Sequence, residues 1–184
     1  DQPDHAEKAV QCALAMDRIS KDFIAKMNAR GMKFGVTRIG VNTGRAIVGN
    51  FGGSGRFDYT AHGDAINTAA RMEGDNKHLG TQICISGTTA AQCPNHFFRP
   101  VGALILKGKT EAIEAFEPMT EAESKLPLTE RYLEAFELLT HADPKAEALF
   151  TRLQADYPDD ALVKLHYDRI ISGILSSTIV LAET

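Results

Sequence analysis

The sequence predicts an α+β fold, an antiparallel sheet with helices packed on one face, followed by a small all-helical extension. Two observations carry that expectation. Up to Pro118, stretches with apolar residues at helical spacing alternate with short β-rich runs bounded by Asn/Gly turns. Past Pro118 the strand signal stops, and only helical periodicity broken by Pro/Asp pairs continues. The expected units are residues 1–119 and 127–184, joined by the polar link Thr120–Lys125.

The elements follow in order. Ala6, Val10, Ala13, Leu14, Ile19, Phe23, Ile24 and Met27 recur at helical spacing and Gly31 ends the run, which predicts one amphipathic helix over 3–30. The period then changes. Phe34 to Val41 reads as a strand, Asn42-Thr43-Gly44 as a turn and Ala46–Gly49 as a returning strand, so a hairpin is expected. Gly49–Gly55 holds four glycines and a serine and reads as a flexible loop matching neither GxxxxGK[ST] nor GxGxxG. Helical spacing returns over Gly63–Asn76 through Ile66, Ala69, Ala70 and Met72. A short strand, 82–86, and a short helix, 88–92, lead to strands over 97–107 and 112–116 around the turn Gly108-Lys109-Thr110. The extension reads as helices 128–140, 144–156 and 159–172, weakly tetratricopeptide-like, which suits either a capping appendage or a partner-binding surface across 128–175.

Composition narrows the function classes. The 184 residues are 43% hydrophobic, enough for a core, and no apolar run reaches the ~20 residues of a spanning helix. Asp1-Gln2-Pro3-Asp4 does not open a signal peptide, so no membrane insertion by this chain is expected, with an anchor elsewhere in the parent left open. A net charge of −4 argues against a general nucleic-acid binder. Three cysteines at unrelated spacings suit reduced thiols in a cytoplasmic compartment. The histidines share no metal-ligand spacing, and no metal-ligating residue is nominated in this chain.

The informative stretch is Tyr59-Thr60-Ala61-His62-Gly63-Asp64-Ala65-Ile66-Asn67-Thr68-Ala69-Ala70-Arg71-Met72-Glu73. Asn67 and Arg71 lie one helical turn apart on one face. An amide beside a guanidinium can hold a sugar oxygen and stabilise an anionic phosphoryl group. Spacing alone also suits an ordinary helix with a surface Arg and a polar Asn. Asp64 reads as favourable negative charge at a helix N-terminus, and His62 as a variable neighbour.

The run resembles the signature Gly-Asp-x-x-Asn-x-Ala-x-Arg-x-Glu of class III nucleotide cyclases at every fixed position. Arg38–Gly52 is similar to the strand–turn–strand that precedes the signature, and Leu106-Lys107-Gly108-Lys109 to the family's lysine-bearing turn. The stretch from Arg38 to Glu117 therefore resembles the C-terminal half of a ferredoxin-like class III cyclase domain, most closely an adenylate cyclase. The resemblance implies that Asn67 positions the ribose of ATP and Arg71 stabilises the pentavalent phosphate. It also implies that Lys107, ahead of Lys109, reaches the terminal phosphates and that Thr60 reads the purine in favour of adenine. Mg2+ or Mn2+ would serve the full-length enzyme, with both aspartate ligands absent from this chain. The resemblance further implies an inactive fragment on its own, an exposed sheet edge, and pairing with a second cyclase domain as a homo-oligomer. A non-catalytic cyclase-like regulatory module and a guanylate cyclase stand as alternatives.

Overall fold

A computed structural model gives the fold, with residues 2–53 and 55–181 described. Helix α1, His5–Asn28, leads into an extended segment and strand β1, Ile39–Val41. Strands β2, Ile47–Gly53, and β3, Arg56–His62, precede helix α2, Asp64–Leu79. Strand β4, Ile83–Ser86, and helix α3, Gly87–Ala90, lead to strands β5, Phe97–Ile105, and β6, Ile113–Met119. Helices α4, Glu121–Ser124, α5, Pro127–Thr140, α6, Lys145–Asp156, and α7, Ala161–Ile171, end at strand β7, Thr178–Val180. Among the described residues no helix is long and apolar enough to cross a membrane.

The α+β class holds, and its finer description changes. The five-stranded sheet runs β1-β4-β6-β5-β7. Its inner pairs are antiparallel, while β1 on β4 and β7 on β5 are parallel, so the sheet is mixed. Helices also cover both faces. In β4 every residue is buried, and the side chains alternate between two cores. Ile83 and Ile85 meet Ala6, Val10 and Ala13 of α1, while Cys84 faces a larger core with Met72 and Leu79 of α2. Burial pushes the Cys84 thiol up to about 12, which leaves it an inert packing group.

The hairpin expected at Asn42–Gly44 does not form. Asn42 Nδ2 donates to the Ala65 carbonyl at 3.1 Å, and the Thr43 and Thr89 hydroxyls hydrogen-bond at 2.9 Å. These bonds turn the chain toward α2 and α3. Strand β2 pairs instead with β3 in a separate two-stranded ribbon, with Gly49 opposite Thr60 and Gly52 opposite Phe57. Three of the four glycines that read as a loop, Gly49, Gly52 and Gly53, therefore lie in a strand, facing bulkier partners across the ribbon. The strand expected from Phe34 starts only at Ile39, and Phe34 and Val36 are exposed.

The three helices of the extension form as expected within a few residues. One apolar core runs from Met72, Leu79 and Leu104 into Tyr132, Leu139, Phe150, Leu162 and Ile179. Strand β7, unanticipated in the sequence, adds to the β5 edge in register Leu104↔Ile179. Arg99 of β5 binds the carboxylates of Glu117 at 2.9 Å and Asp160 at 2.8 Å and lies over the Tyr132 ring. Asp160 also caps α7 by accepting from Val163 N at 2.9 Å.

His166 of α7 is fully buried among Tyr132, Phe136 and Phe150 and donates through Nε2 to the Val101 carbonyl at 3.1 Å. Burial, helped by the nearby Arg169 charge, pulls its pKa down to about 3. The unfolded chain protonates this ring near its ordinary value, so between that pH and about 3 unfolding takes up a proton and stability falls as pH drops. The expected loss from this group is on the order of 1 kcal/mol per pH unit below ~6.5. Urea unfolding at stepped pH should show that acid slope weakened in His166→Gln relative to the wild type.

Candidate functional site

Helix α2 carries the candidate residues on the side away from its core. Ala65, Thr68, Met72, Asn76 and Leu79 are buried in one stripe at helical spacing. Asp64, Asn67 and Arg71 follow one another at i, i+3 and i+7 along a second stripe, off the buried one. The first turn carries Asp64 and the last Lys77 and His78, charges that suit the helix dipole at both ends.

What places that stripe is the contact under α2. Gly40 of β1 lies so close to the helix that an added Cβ would meet the Ala69 carbonyl oxygen at 2.1 Å and Glu73 N at 2.5 Å. Only a residue without a side chain allows this approach. Asn76, fully buried, fixes the same contact by hydrogen bonds. Its Nδ2 donates to the Ile39 carbonyl of β1 and to the Met72 carbonyl, both at 3.0 Å. Its Oδ1 accepts from the Thr81 hydroxyl at 2.6 Å. The sequence reading passed over Asn76. The available signal was a polar residue at an apolar position of the stripe, which a fold retains only when its hydrogen bonds are met.

The turn after β5 docks on the second stripe. Lys109 N donates to the Leu106 carbonyl at 2.9 Å, and Gly108 sits at φ +69° in the left-handed region. The Arg71 guanidinium lies against this turn, its two terminal nitrogens 3.7 Å from where a Gly108 Cβ would stand. Lys109 forms an ion pair with Asp64. The structure therefore brings Arg71, Asp64 and the Lys107–Lys109 turn together, with Asn67 exposed on the same stripe and Lys107 exposed at the head of the turn. Lys109 is thus tied to the first turn of α2 by its ion pair with Asp64. Thr60 lies elsewhere, exposed on the ribbon strand that runs into α2. Alternation puts it on the ribbon face of His62 and Phe51, whose rings meet edge to face at 4.2 Å.

Among the described residues no group of three His, Cys, Asp or Glu side chains could hold a metal ion. A cleft of about 860 Å³ opens elsewhere, between α1 and the β4–β6 side of the sheet. Its Lys21, Arg99, Glu117 and Asp160 are already committed to ion pairs. The α2 stripe, with cations and an amide presented outward, is the better candidate for a phosphorylated ligand.

Comparison with known proteins points the same way. The family model of the adenylate and guanylate cyclase catalytic domain matches residues 1–117. The chain is 42% identical over 114 residues to adenylate cyclase 1 of Rhizobium meliloti (strain 1021), covering 61% of this chain and 17% of that protein. It is 30% identical over 181 residues to the terminal-differentiation specific adenylate cyclase of Dictyostelium discoideum, covering 92% of this chain and 8% of that protein. That second match runs on past β6 into the helical extension. The crystal structure of the adenylyl cyclase CyaB from P. aeruginosa superposes with a TM-score of 0.58 at 28% identity, covering 66% of this chain and 62% of that one. The chain spans between 8% and 23% of the length of the curated relatives it matches.

The contact beneath α2 gives a test. Asn76→Ala leaves the Thr81 hydroxyl without its acceptor and removes the side-chain bond from α2 to β1, at a cost of about 2 kcal/mol in chemical denaturation. Gly40→Ala forces α2 off β1 and should cost about 1–3 kcal/mol, whereas Gly53→Ala, with open space around it, should stay within ~1 kcal/mol of wild type.

Proposed function

The chain belongs to the adenylate and guanylate cyclase catalytic domain family, and from that premise we propose that it is the part of an adenylate cyclase that binds the ribose and phosphates of ATP during conversion to cyclic AMP and pyrophosphate. The observation that carries the reading is the α2 stripe, on which Asn67 and Arg71 stand together with a lysine-bearing turn docked beside Arg71.

In the reaction, the ribose 3′-oxygen attacks the α-phosphorus and a new ester bond closes the ring. The bond from that phosphorus to the bridging oxygen breaks, pyrophosphate leaves, and the 3′-hydroxyl proton is released. Negative charge grows on the oxygens around the α-phosphorus and on the leaving group. Arg71 opposes it with a guanidinium that stays charged throughout and is packed against a turn that limits its motion. Asn67 holds a ribose oxygen, so that the 3′-oxygen starts near its line of attack. Lys107 reaches the terminal phosphates. Thr60, with a hydroxyl that both donates and accepts, reads the adenine edge. Catalysis of this kind rests on positioning and charge stabilisation, with no covalent intermediate.

Class III cyclases depend on divalent metal ions. The described residues do not fit such a site, because their acids and histidines nowhere converge in a group of three, and no step above runs through a metal. Cyclase domains of this family work as dimers, which supports a partner domain facing Asn67 and Arg71 across the site. The same reading makes this chain insufficient by itself, and places the helical extension as a unit carried with the catalytic fold.

The parent protein, assayed with Mg2+ or Mn2+, should form cyclic AMP from ATP in preference to cyclic GMP from GTP. Arg71→Ala should lower turnover by about a hundredfold or more, the usual cost of one transition-state donor. No product from either nucleotide by a folded parent would overturn the reading, and a preference for GTP would reassign Thr60. Turnover by this chain alone at the parent's rate would refute its insufficiency.

A further inference from the structure

Asp64 and Lys109 are 45 residues apart in sequence and meet where α2 touches the turn after β5. Resting on the cyclase reading above, we propose that they are a positioning pair: their ion pair seats the Lys107–Lys109 turn on α2 and sets Arg71 and Lys107 in register with each other for the triphosphate.

Three observations support the assignment. The stripe Asp64, Asn67, Arg71 puts the carboxylate one and two turns from the two proposed substrate contacts, so a group held by Asp64 is held relative to both. The turn itself is tight. Its Lys109 N–H is bonded to the Leu106 carbonyl at 2.9 Å, and Gly108 adopts φ +69° with the Arg71 guanidinium against it. Pinning Lys109 therefore fixes Gly108 beneath Arg71. The charges also sort themselves. Arg71 and Lys109 converge on one turn, and the Asp64 carboxylate offsets Lys109, which lowers the repulsion that would otherwise push the guanidinium away. A Lys109 serving as a phosphate ligand would have no use for a carboxylate at its ammonium, since that carboxylate would repel the same phosphates.

The Asp64 side chain is 76% exposed and that of Lys109 23%. A pair this open adds little to folding stability, so its loss should be felt in geometry rather than in unfolding. Phosphoryl transfer is sensitive to that geometry, because a misplacement of about 1 Å costs up to 10²-fold in rate.

The test is kinetic, on the full-length parent. Asp64→Asn and Lys109→Gln should each lower kcat by about tenfold with KM for ATP changed by less than about twofold. The double variant should be no worse than the poorer single, because the two residues act as one unit. Lys109→Arg, which keeps the charge and the reach, should retain most of the activity. Losses that multiply in the double variant, or a raised KM in Lys109→Gln with Asp64→Asn silent, would make Lys109 a substrate contact and overturn the proposal. Singles within about twofold of wild type would overturn it too.

A second readout does not need catalysis. In this chain, Asp64→Asn should speed hydrogen exchange at the Lys109 amide by about tenfold or more while the Asn76 and Leu79 amides of α2 keep their protection. If the parent proves to have no cyclase activity, the functional reading falls and exchange alone decides the pair. Faster exchange at Lys109 then supports the latch, and unchanged exchange overturns it.

Discussion

The site depends on one contact, the seating of α2 on β1 with backbone against backbone. At Gly40 there is no side chain between strand and helix, and the helix approaches until the Ala69 carbonyl lies where a Cβ would be. Close approach by itself leaves a helix able to rotate or slide. Asn76 removes that freedom, because its amide bonds β1 on one side and Thr81 beyond the helix end on the other. Burial of Met72 and Leu79 in the core then holds the rotation about the helix axis. With axis, height and rotation fixed, Asp64 and Arg71 meet the turn after β5, and Asn67 lies exposed on the same stripe.

The helical extension rests on the same sheet through a different kind of contact. Arg99 leaves β5 as a nearly buried cation, answered by Glu117 from the neighbouring strand and by Asp160 at the start of α7. Burial pushes the Glu117 carboxyl up while Arg99 draws it back down. The fold answers the cost of burying these charges by giving the guanidinium two carboxylates and the Tyr132 ring at 4.9 Å. Such a network adds less to stability than its contact list suggests. What it adds is direction: a shift of α7 along β5 would strand three charges at once. Strand β7 supplies the same constraint from the other end, where Arg169 donates to the carbonyls of Ser176 and Thr178.

The legible parts of the molecule are those written in local periodicity. Helices α1, α2, α5, α6 and α7 appear within a few residues of their expected bounds, because each carries an apolar stripe and a breaker at its end. The hairpin at Asn42–Gly44 was misjudged because an Asn/Gly turn reads the same whether the next strand returns or departs. The deciding bonds run from Asn42 to Ala65 and from Thr43 to Thr89, partners distant in sequence. The strand expected over Ala46–Gly49 runs on to Gly53, and that second half of β2 was not legible because Gly52 and Gly53 have no β propensity of their own and borrow it from β3. Strand β7 is too short to announce itself and exists only as an addition to β5. The cover of the second sheet face escaped notice for a similar reason, since a run buried on both sides shows no alternation to count. In the site, Asn67 and Arg71 were legible as a spacing on one helix. Asn76 and the ion pair of Lys109 with Asp64 were not, because each role comes from a partner in another element.

The charge pattern of the site says what must face it. On the described residues, the exposed side of α2 and its docked turn carry a guanidinium and an amide beside the lysine-bearing turn, with Lys109 paired to Asp64. That surface can receive phosphate oxygens and neutralise charge developing on them. It offers no carboxylate cluster to hold a metal or to take a proton from the attacking hydroxyl. A reaction that forms one phosphorus–oxygen bond while breaking another needs both halves of that chemistry in the same water-poor space. The cationic half is built here to fine tolerance, on a helix fixed by bare backbone and a buried amide. On the proposed reading, the anionic half is presented against it by the second cyclase domain. On that reading the separation of the two halves sets the line of attack, and a helix held as firmly as α2 passes any change in that separation on to the phosphates.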